Sequence, residues 1–336
     1  MKKALLTVAL LIASATAAPA SEIGHYAGGL LNIRDFFIPE PGFYGTVYNY
    51  YYHTDRLNDR HGDEVRSVTI GSGTGPGLTL GIDPDVDVYV LAPALVWVTP
   101  YEILGARYAA LIVPTFANSS VGASLSTQSG RGADPSASQF GIGDLYVQPL
   151  SLGWPLEHWD LTLAWGFYAP TGKYDVDTVT FPIIGPRKVE SADNIGLGFW
   201  TNQFQSAVAW YPWTNKGTAL TAALTYEINS DKERFDVTPG DNLTLNWGIS
   251  QYLPLTADMK WLTEVGPAGY STWQVSADSG SDASNSVKDQ VHGVGWQVGL
   301  TSVGWATALN LHYFYEVASE DRFEGHVLGL SIAKKF

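Results

Sequence analysis

The sequence predicts an all-β fold: a closed antiparallel transmembrane β-barrel of about twelve strands, with long extracellular loops and short periplasmic turns. Three observations carry that expectation. Apolar residues alternate with a period of two over most of the chain. The links between the alternating segments are by turns long and short. Aromatic content is high, with 12 Trp, 18 Tyr and 13 Phe in 336 residues beside 2 Met and no Cys. Barrels gather Trp and Tyr into girdles at both membrane interfaces, whereas a soluble core draws more on Met and Leu.

The first residues read as a targeting segment. Lys2 and Lys3 precede an apolar run from Ala4 to Ala13, then small residues ending in Ala18-Pro19-Ala20. Residues 1–20 are therefore expected to be a secretory signal peptide, cut after Ala20 or after Ala17. Downstream, no stretch approaches the roughly 20 apolar residues of a spanning helix. The best run, Val86–Val98, is broken by Asp87 and Pro93. Without cysteine there is no disulfide, lipid anchor or thiol chemistry. A net charge of −14 leaves no basic surface for phosphate backbones, so nucleic acid is not expected as a partner.

Residues 21–42 do not alternate. Gly28-Gly29, Pro39 and Pro41 interrupt an apolar set of Leu30, Leu31, Ile33, Phe36, Phe37 and Ile38. Such a segment ahead of a first strand either folds into the lumen as a plug or hangs as a periplasmic tail. The barrel is expected over 43–336.

Strand one opens at Phe43, with Tyr44, Thr46, Tyr48, Tyr50 and Tyr52 on one parity, and ends near Thr54. An acidic loop is expected to run on through Gly71–Asp85. Strand two is read over Val86–Val98, three over Arg107–Val121 and four over Phe140–Leu152. Strand five is the cleanest: Trp159, Leu161, Leu163, Trp165 and Phe167 oppose Asp160, Thr162, Ala164, Gly166 and Tyr168. In strand six, Ile195–Trp210, the apolar parity changes between Phe199 and Phe204, which predicts a β-bulge. Strands seven to eleven repeat the alternation. Leu328, Leu330, Ile332 and Phe336 form the lipid-facing row of a closing strand twelve that should border both strand eleven and strand one. An even strand number places both termini on the periplasmic side. Trp97, Trp154, Trp159, Trp210, Trp213, Trp261 and Trp305 all fall beside the short turns, where an inner girdle belongs.

Several stretches also resemble a known family. They include Pro39-Glu40-Pro41-Gly42-Phe43-Tyr44, Gly141-Ile142-Gly143-Asp144-Leu145-Tyr146-Val147-Gln148-Pro149-Leu150 and Phe167-Tyr168-Ala169-Pro170-Thr171-Gly172-Lys173-Tyr174-Asp175. Leu224-Thr225-Tyr226-Glu227-Ile228-Asn229 and Pro239-Gly240-Asp241 extend the likeness in order. Together they resemble the outer-membrane proteins of the meta-pathway phenol-degradation family, which includes SphA-type porins. The resemblance implies an outer-membrane transporter or channel for hydrophobic or aromatic compounds, with no catalytic motif to carry over.

The residues themselves contain little that reads as chemistry. None of the seven histidines stands at metal-ligand spacing from another, and no cofactor or metal is expected. His61 lies among Asp55, Asp59 and Asp63, and Asp55, Asn58, Asp59 and Asp63 are the candidate Ca²⁺ collectors, although their spacing departs from an EF-hand loop. Gly71-Ser72-Gly73-Thr74-Gly75 lacks the Lys of a phosphate loop. His292 and His326 face lipid by parity, but no Ser motif accompanies them. The pore-lining candidates are the inward parity: Asp144, Gln148, Asp160, Tyr168, Glu227, Asn246, Glu264, Tyr270, Gln274, Asn310, His312 and Glu316. The expected partners are outer-membrane lipid, a small hydrophobic or aromatic solute, and the outer-membrane assembly machinery through the C-terminal strand. A surface lipid or protein hydrolase and a purely structural barrel are the alternatives.

Overall fold

The computed structural model describes residues 23–70, 78–127, 132–133, 136–181, 185–191, 194–283 and 287–336. The expected signal peptide and the Gly71–Gly75 run lie outside the described residues.

Twelve strands close into one antiparallel barrel. We label them β1 (Gly42–Leu57), β2 (Leu78–Ile103), β3 (Ala106–Val113, resuming at Phe116–Thr127) and β4 (Ser136–Ile142, resuming at Leu145–Pro155). They continue as β5 (Trp159–Ala169), β6 (Thr201–Trp210), β7 (Thr218–Asn229) and β8 (Asn242–Pro254). The last four are β9 (Trp261–Gln274), β10 (Gln290–Ser302), β11 (Thr307–Glu320) and β12 (Phe323–Lys335). Closure is made by β1, which pairs with β2 on one side and with β12 on the other, Tyr44 opposite Lys335 and Tyr52 opposite Val327. The backbone N–H of Phe336 donates to the carbonyl of Phe43 at 2.9 Å, which ties the last residue to the rim.

Alternation sorts the two faces. Leu161 and Leu163 of β5, Leu309, Leu311 and Tyr313 of β11, and Leu328, Leu330 and Ile332 of β12 point outward and are exposed. Exposed apolar rows of this extent are stable only against a membrane. At the short-turn ends Phe43 stacks on Trp97 at 5.9 Å, Trp159 lies 6.4 Å from Trp210, and Trp261 meets Trp305 edge-on at 5.6 Å. That is the aromatic girdle the tryptophan positions predict.

Three local readings are corrected. The loop expected through Gly71–Asp85 is partly strand, because β2 begins at Leu78 and pairs with Phe116–Thr127 and with Ser67–Ile70. Asp83, Pro84 and Asp85 make that stretch read as loop, but a strand rising beyond the bilayer needs no apolar face. The bulge expected in strand six is absent, since β6 pairs with β5 and β7 without a register shift. The parity changes because residues 195–200 are not strand: Phe199 is buried in the interior while the next residue, Trp200, is exposed. Bulges occur instead at His53/Arg56 and His292/Gly293, among others. The third correction concerns the N-terminal side and follows below.

The turn between β2 and β3 is a tight two-residue link. Leu104 and Gly105 have φ of 52° and 72°, the paired left-handed geometry of a type I′ hairpin. Glycine adopts it freely, whereas Leu104 is strained. Leu104→Asn is therefore expected to stabilise the barrel by about 1 kcal/mol, read as a higher urea midpoint for folding in lipid vesicles.

Candidate functional site in the barrel lumen

The barrel interior is crossed by the chain's own N-terminal segment. Residues 23–41 contain turns but no helix or strand, and they descend from the outer rim to the inner one before entering β1. The described chain thus begins beside the outer ends of the strands, which corrects the expectation that both termini lie on the periplasmic side. β1 does start at the inner rim, but the residues before it turn back up through the lumen.

Each step of the descent meets inward-facing polar residues. At the top, His25 lies 3.0 Å from Asp144 Oδ2 through Nε2 and 2.8 Å from Thr201 Oγ1 through Nδ1. Its ring stacks on Tyr168 at 4.6 Å and meets Phe199 edge-on at 4.9 Å. Below it, the Tyr26 N–H donates to Glu227 Oε1 at 2.9 Å, and Asn246 Nδ2 donates to the Tyr26 hydroxyl at 3.1 Å. Gly28 and Gly29 lie flat on Tyr270, where a Cβ on Gly28 would come within 2.5 Å of the ring. The glycine pair that breaks the sequence pattern is what permits this approach.

The lower half is held more tightly. Asn32 donates to Ser331 Oγ at 2.8 Å, and His312 Nδ1 stands 3.3 Å from Asn32 Oδ1. The Ile33 N–H donates to Gln297 Oε1 at 2.9 Å. Arg34 is the anchor. Its Nε donates to Glu264 Oε1 at 2.9 Å and to Ser250 Oγ at 2.8 Å, and its two Nη atoms donate to the carbonyls of Lys216 and Gly217. The guanidinium also lies 4.3 Å above the Tyr252 ring. At the inner rim Arg107 pairs with Glu40 at 2.9 Å. Apolar residues fill between these contacts: Ile33 packs with Tyr50, Tyr270, Val291 and Phe314, and Phe36 with Ala207 and Ala223.

The inward-parity candidates lie on strands of this wall, except Asp144 in the break within β4, but they divide by what they touch. Asp144, Tyr168, Glu227, Asn246, Glu264, Tyr270 and His312 contact residues 25–34 directly. Glu316 sits behind them, accepting from the hydroxyls of Tyr270 and Tyr52 at 2.9 and 3.0 Å. Gln148 is tied to its own strand through Tyr146 and Ser151, and Asn310 is buried beside Gly299. Asp160 stands at the inner rim, 2.6 Å from both the Tyr211 hydroxyl and Lys216 Nζ. Gln274 stands at the outer rim, donating to Asp278 at 2.6 Å. The segment's own His25, Asn32, Arg34 and Asp35 are functional candidates that alternation does not reveal. For Asn32, Arg34 and Asp35 the signal is a polar set inside the apolar stretch 30–38, which demands buried partners; His25 lies ahead of that stretch and has no such signal.

A family model described as "Putative MetA-pathway of phenol degradation" matches residues 54–332. The chain belongs to this family. Among solved structures, an outer membrane channel of Pseudomonas putida F1 is similar at 16% identity and a TM-score of 0.62, over 91% of this chain and all of that one. That likeness shares the outer-membrane barrel fold. Looser overlaps include the β domain of the Bordetella autotransporter BrkA (12% identity, TM-score 0.48, 88% of this chain and 100% of that one). Another is the CymD monoaromatic hydrocarbon channel (8% identity, TM-score 0.39, 96% and 98%). No curated protein matches.

Other candidate chemistry of this phenol-degradation family member does not assemble at the loops. Asp59 Oδ1 accepts from the backbone N–H groups of His61 and Asp63 at 2.8 and 3.1 Å, and these bonds hold its carboxyl below the usual range. The carboxylate therefore caps its own turn. Asn58 is buried against Ser319 and Glu324, so Asp55, Asn58, Asp59 and Asp63 do not form one Ca²⁺ cradle. On the outer wall, His292 Nδ1 lies 2.9 Å from Ser271 Oγ, directly across the β9–β10 ladder. Sequence reasoning missed that serine because its partner is a neighbour only through strand pairing. Trp273 packs edge-on to the imidazole, and among the described residues no carboxylate or amide bonds it, so the pair lacks the orienting third group of a hydrolytic triad.

At the outer rim, Asp289 is buried and receives Arg322 Nη1 at 3.1 Å. Burial pushes its carboxyl up, against the opposing pull of Arg322. An acid raised in the folded state favours folding while protonated, and that contribution fades as pH rises through its folded value. The thermal midpoint of the barrel is expected to fall from pH 4 to pH 8 in part through this group. Asp289→Asn should show a flatter slope by heat-modified gel mobility, whatever its absolute stability.

Proposed function

We propose that this protein is an outer-membrane channel for small hydrophobic or aromatic solutes, with residues 23–41 as a tethered plug. The observation that carries the reading is that a folded-back segment, rather than wall side chains alone, occupies the lumen. It is held by separate polar contacts, with Arg34 as the strongest. A twelve-stranded barrel whose own residues filled its lumen would have no use for such a segment. Displaced, the plug would uncover a wall in which Tyr50, Tyr52, Tyr168, Tyr270 and Phe314 offer ring faces and Glu227, Glu264 and Glu316 supply the remaining polarity. That lining suits neutral aromatic or cationic solutes over anions. Family membership agrees with an aromatic-compound setting.

Liposomes loaded with the purified barrel test the reading. Phenol-sized neutral aromatics are expected to enter faster than sugars of similar mass, and sugars entering equally fast would overturn the selectivity. A Gly28→Val variant, which drives a side chain into Tyr270, is expected to raise aromatic permeation. Unchanged permeation in a variant that still folds would remove the plug from the account.

A further inference from the structure

The lumen uses inward-facing groups only, yet a second constellation stands on the opposite face of the closing seam. His53 of β1 and Asp87 of β2 are paired directly across the ladder, and His53 Nδ1 lies 3.0 Å from Asp87 Oδ1. Asp85 follows two residues along on the same face of β2. One ligand atom from each of the three lies within 4.8 Å of the others. Ligands about 2.0–2.2 Å from one ion stand about 3.4 Å apart in a tetrahedron, so drawing the three atoms together by up to about 1.4 Å, within reach of side-chain rotation, encloses a cation.

Two independent features mark this cluster off from an ordinary acidic surface. It opens into a groove of about 510 Å³ whose lining has two carboxylates, two histidines, two tyrosines and a leucine, but no Lys or Arg. Within the groove the Tyr51 hydroxyl donates to Asp87 Oδ1, and the two histidines are the groove's nitrogen donors. Its height is also fixed by the ladder. His326, His53 and Asp87 form one row across β12, β1 and β2, ten residues above the row of Phe336, Phe43 and Trp97. Ten residues of tilted strand rise about 26 Å, the thickness of the apolar band. The row thus sits where the bilayer's outer head groups begin.

We propose that His53, Asp85 and Asp87 form an open binding site for a divalent cation of the zinc class on the outer wall of the barrel. One imidazole and two carboxylates favour Zn²⁺ or Mn²⁺ over Ca²⁺ and Mg²⁺, which prefer all-oxygen shells. Three protein ligands leave the fourth position open toward the groove. Bound there, the ion staples β1 to β2 beside the β12–β1 seam.

Titration calorimetry of the purified full-length barrel in detergent tests the site with ZnCl₂, MnCl₂ and CaCl₂ as separate probes. Zn²⁺ is expected to bind with one-to-one stoichiometry and more tightly than Ca²⁺. Asp85→Asn, Asp87→Asn and His53→Ala should each weaken Zn²⁺ at least about tenfold, while His61→Ala, in the neighbouring loop, leaves it unchanged. Heat-modified gel mobility establishes that each variant is folded, and the isosteric Asp85→Asn carries the test if His53→Ala does not fold. No Zn²⁺ binding at about millimolar metal, affinity unchanged in the folded variants, or Ca²⁺ binding tighter than Zn²⁺ would each overturn the assignment.

Discussion

Deletion of residues 23–41 is expected to raise single-channel conductance severalfold in planar bilayers, with longer and more uniform openings. The segment crosses the lumen from His25 at the outer rim to Glu40 at the inner one, so removing it exposes the whole bore. It also supplies apolar cover: Ile33 packs with Tyr270 and Phe314, and Phe36 with Ala207 and Ala223. The deleted barrel should consequently denature at lower temperature even where it conducts better. Gel mobility before and after heating separates the two effects. A folded deletion variant with native conductance would show that solutes do not pass where the segment lies.

The second large effect centres on one ion pair. Arg34→Met removes the cation from Glu264, leaving a carboxylate with side-chain exposure of 5% and, among the described residues, the Gln297 amide to satisfy it. Breaking a buried pair by removing one partner costs about 3–5 kcal/mol. Arg34 keeps 16% exposure, so the lower end applies, about 3 kcal/mol against the docked segment. That shifts the docked-to-open ratio roughly 100-fold. The double variant Arg34→Met with Glu264→Met is expected to recover most of the loss, since replacing both charges removes the stranded one. Open probability in bilayers reads both. Equal open probability in the single and double variants would mean that Arg34 acts through its contacts with Ser250, Lys216 and Gly217 instead.

The barrel was legible in the sequence because its physics is local. Lipid outside and polar groups inside force a period of two, so Glu227, Asn246, Glu264, Asn310 and His312 could be assigned to the inner wall by parity alone. Tryptophans beside short turns placed the inner girdle for the same reason. What lay beyond reach was anything set by pairing at a distance. Arg34 and Glu264 are 230 residues apart, and Asn32 and Ser331 are 299 apart. No periodicity links an irregular segment to such partners. Ser271 opposite His292, and His53 opposite Asp87, exist only once strand register is fixed. Charged strands outside the bilayer, such as the start of β2, also escape, because the membrane no longer imposes an apolar face there.

The lumenal segment is joined to β1 at Gly42 with no intervening linker, and that attachment sets the terms of any opening. An undocked segment on so short a tether stays within reach of its own site at an effective concentration on the order of millimolar. Closing is then unimolecular and indifferent to protein concentration. A solute entering the lumen competes against a ligand that never diffuses away. Permeation is expected to rise with solute concentration only as that intramolecular competitor is displaced.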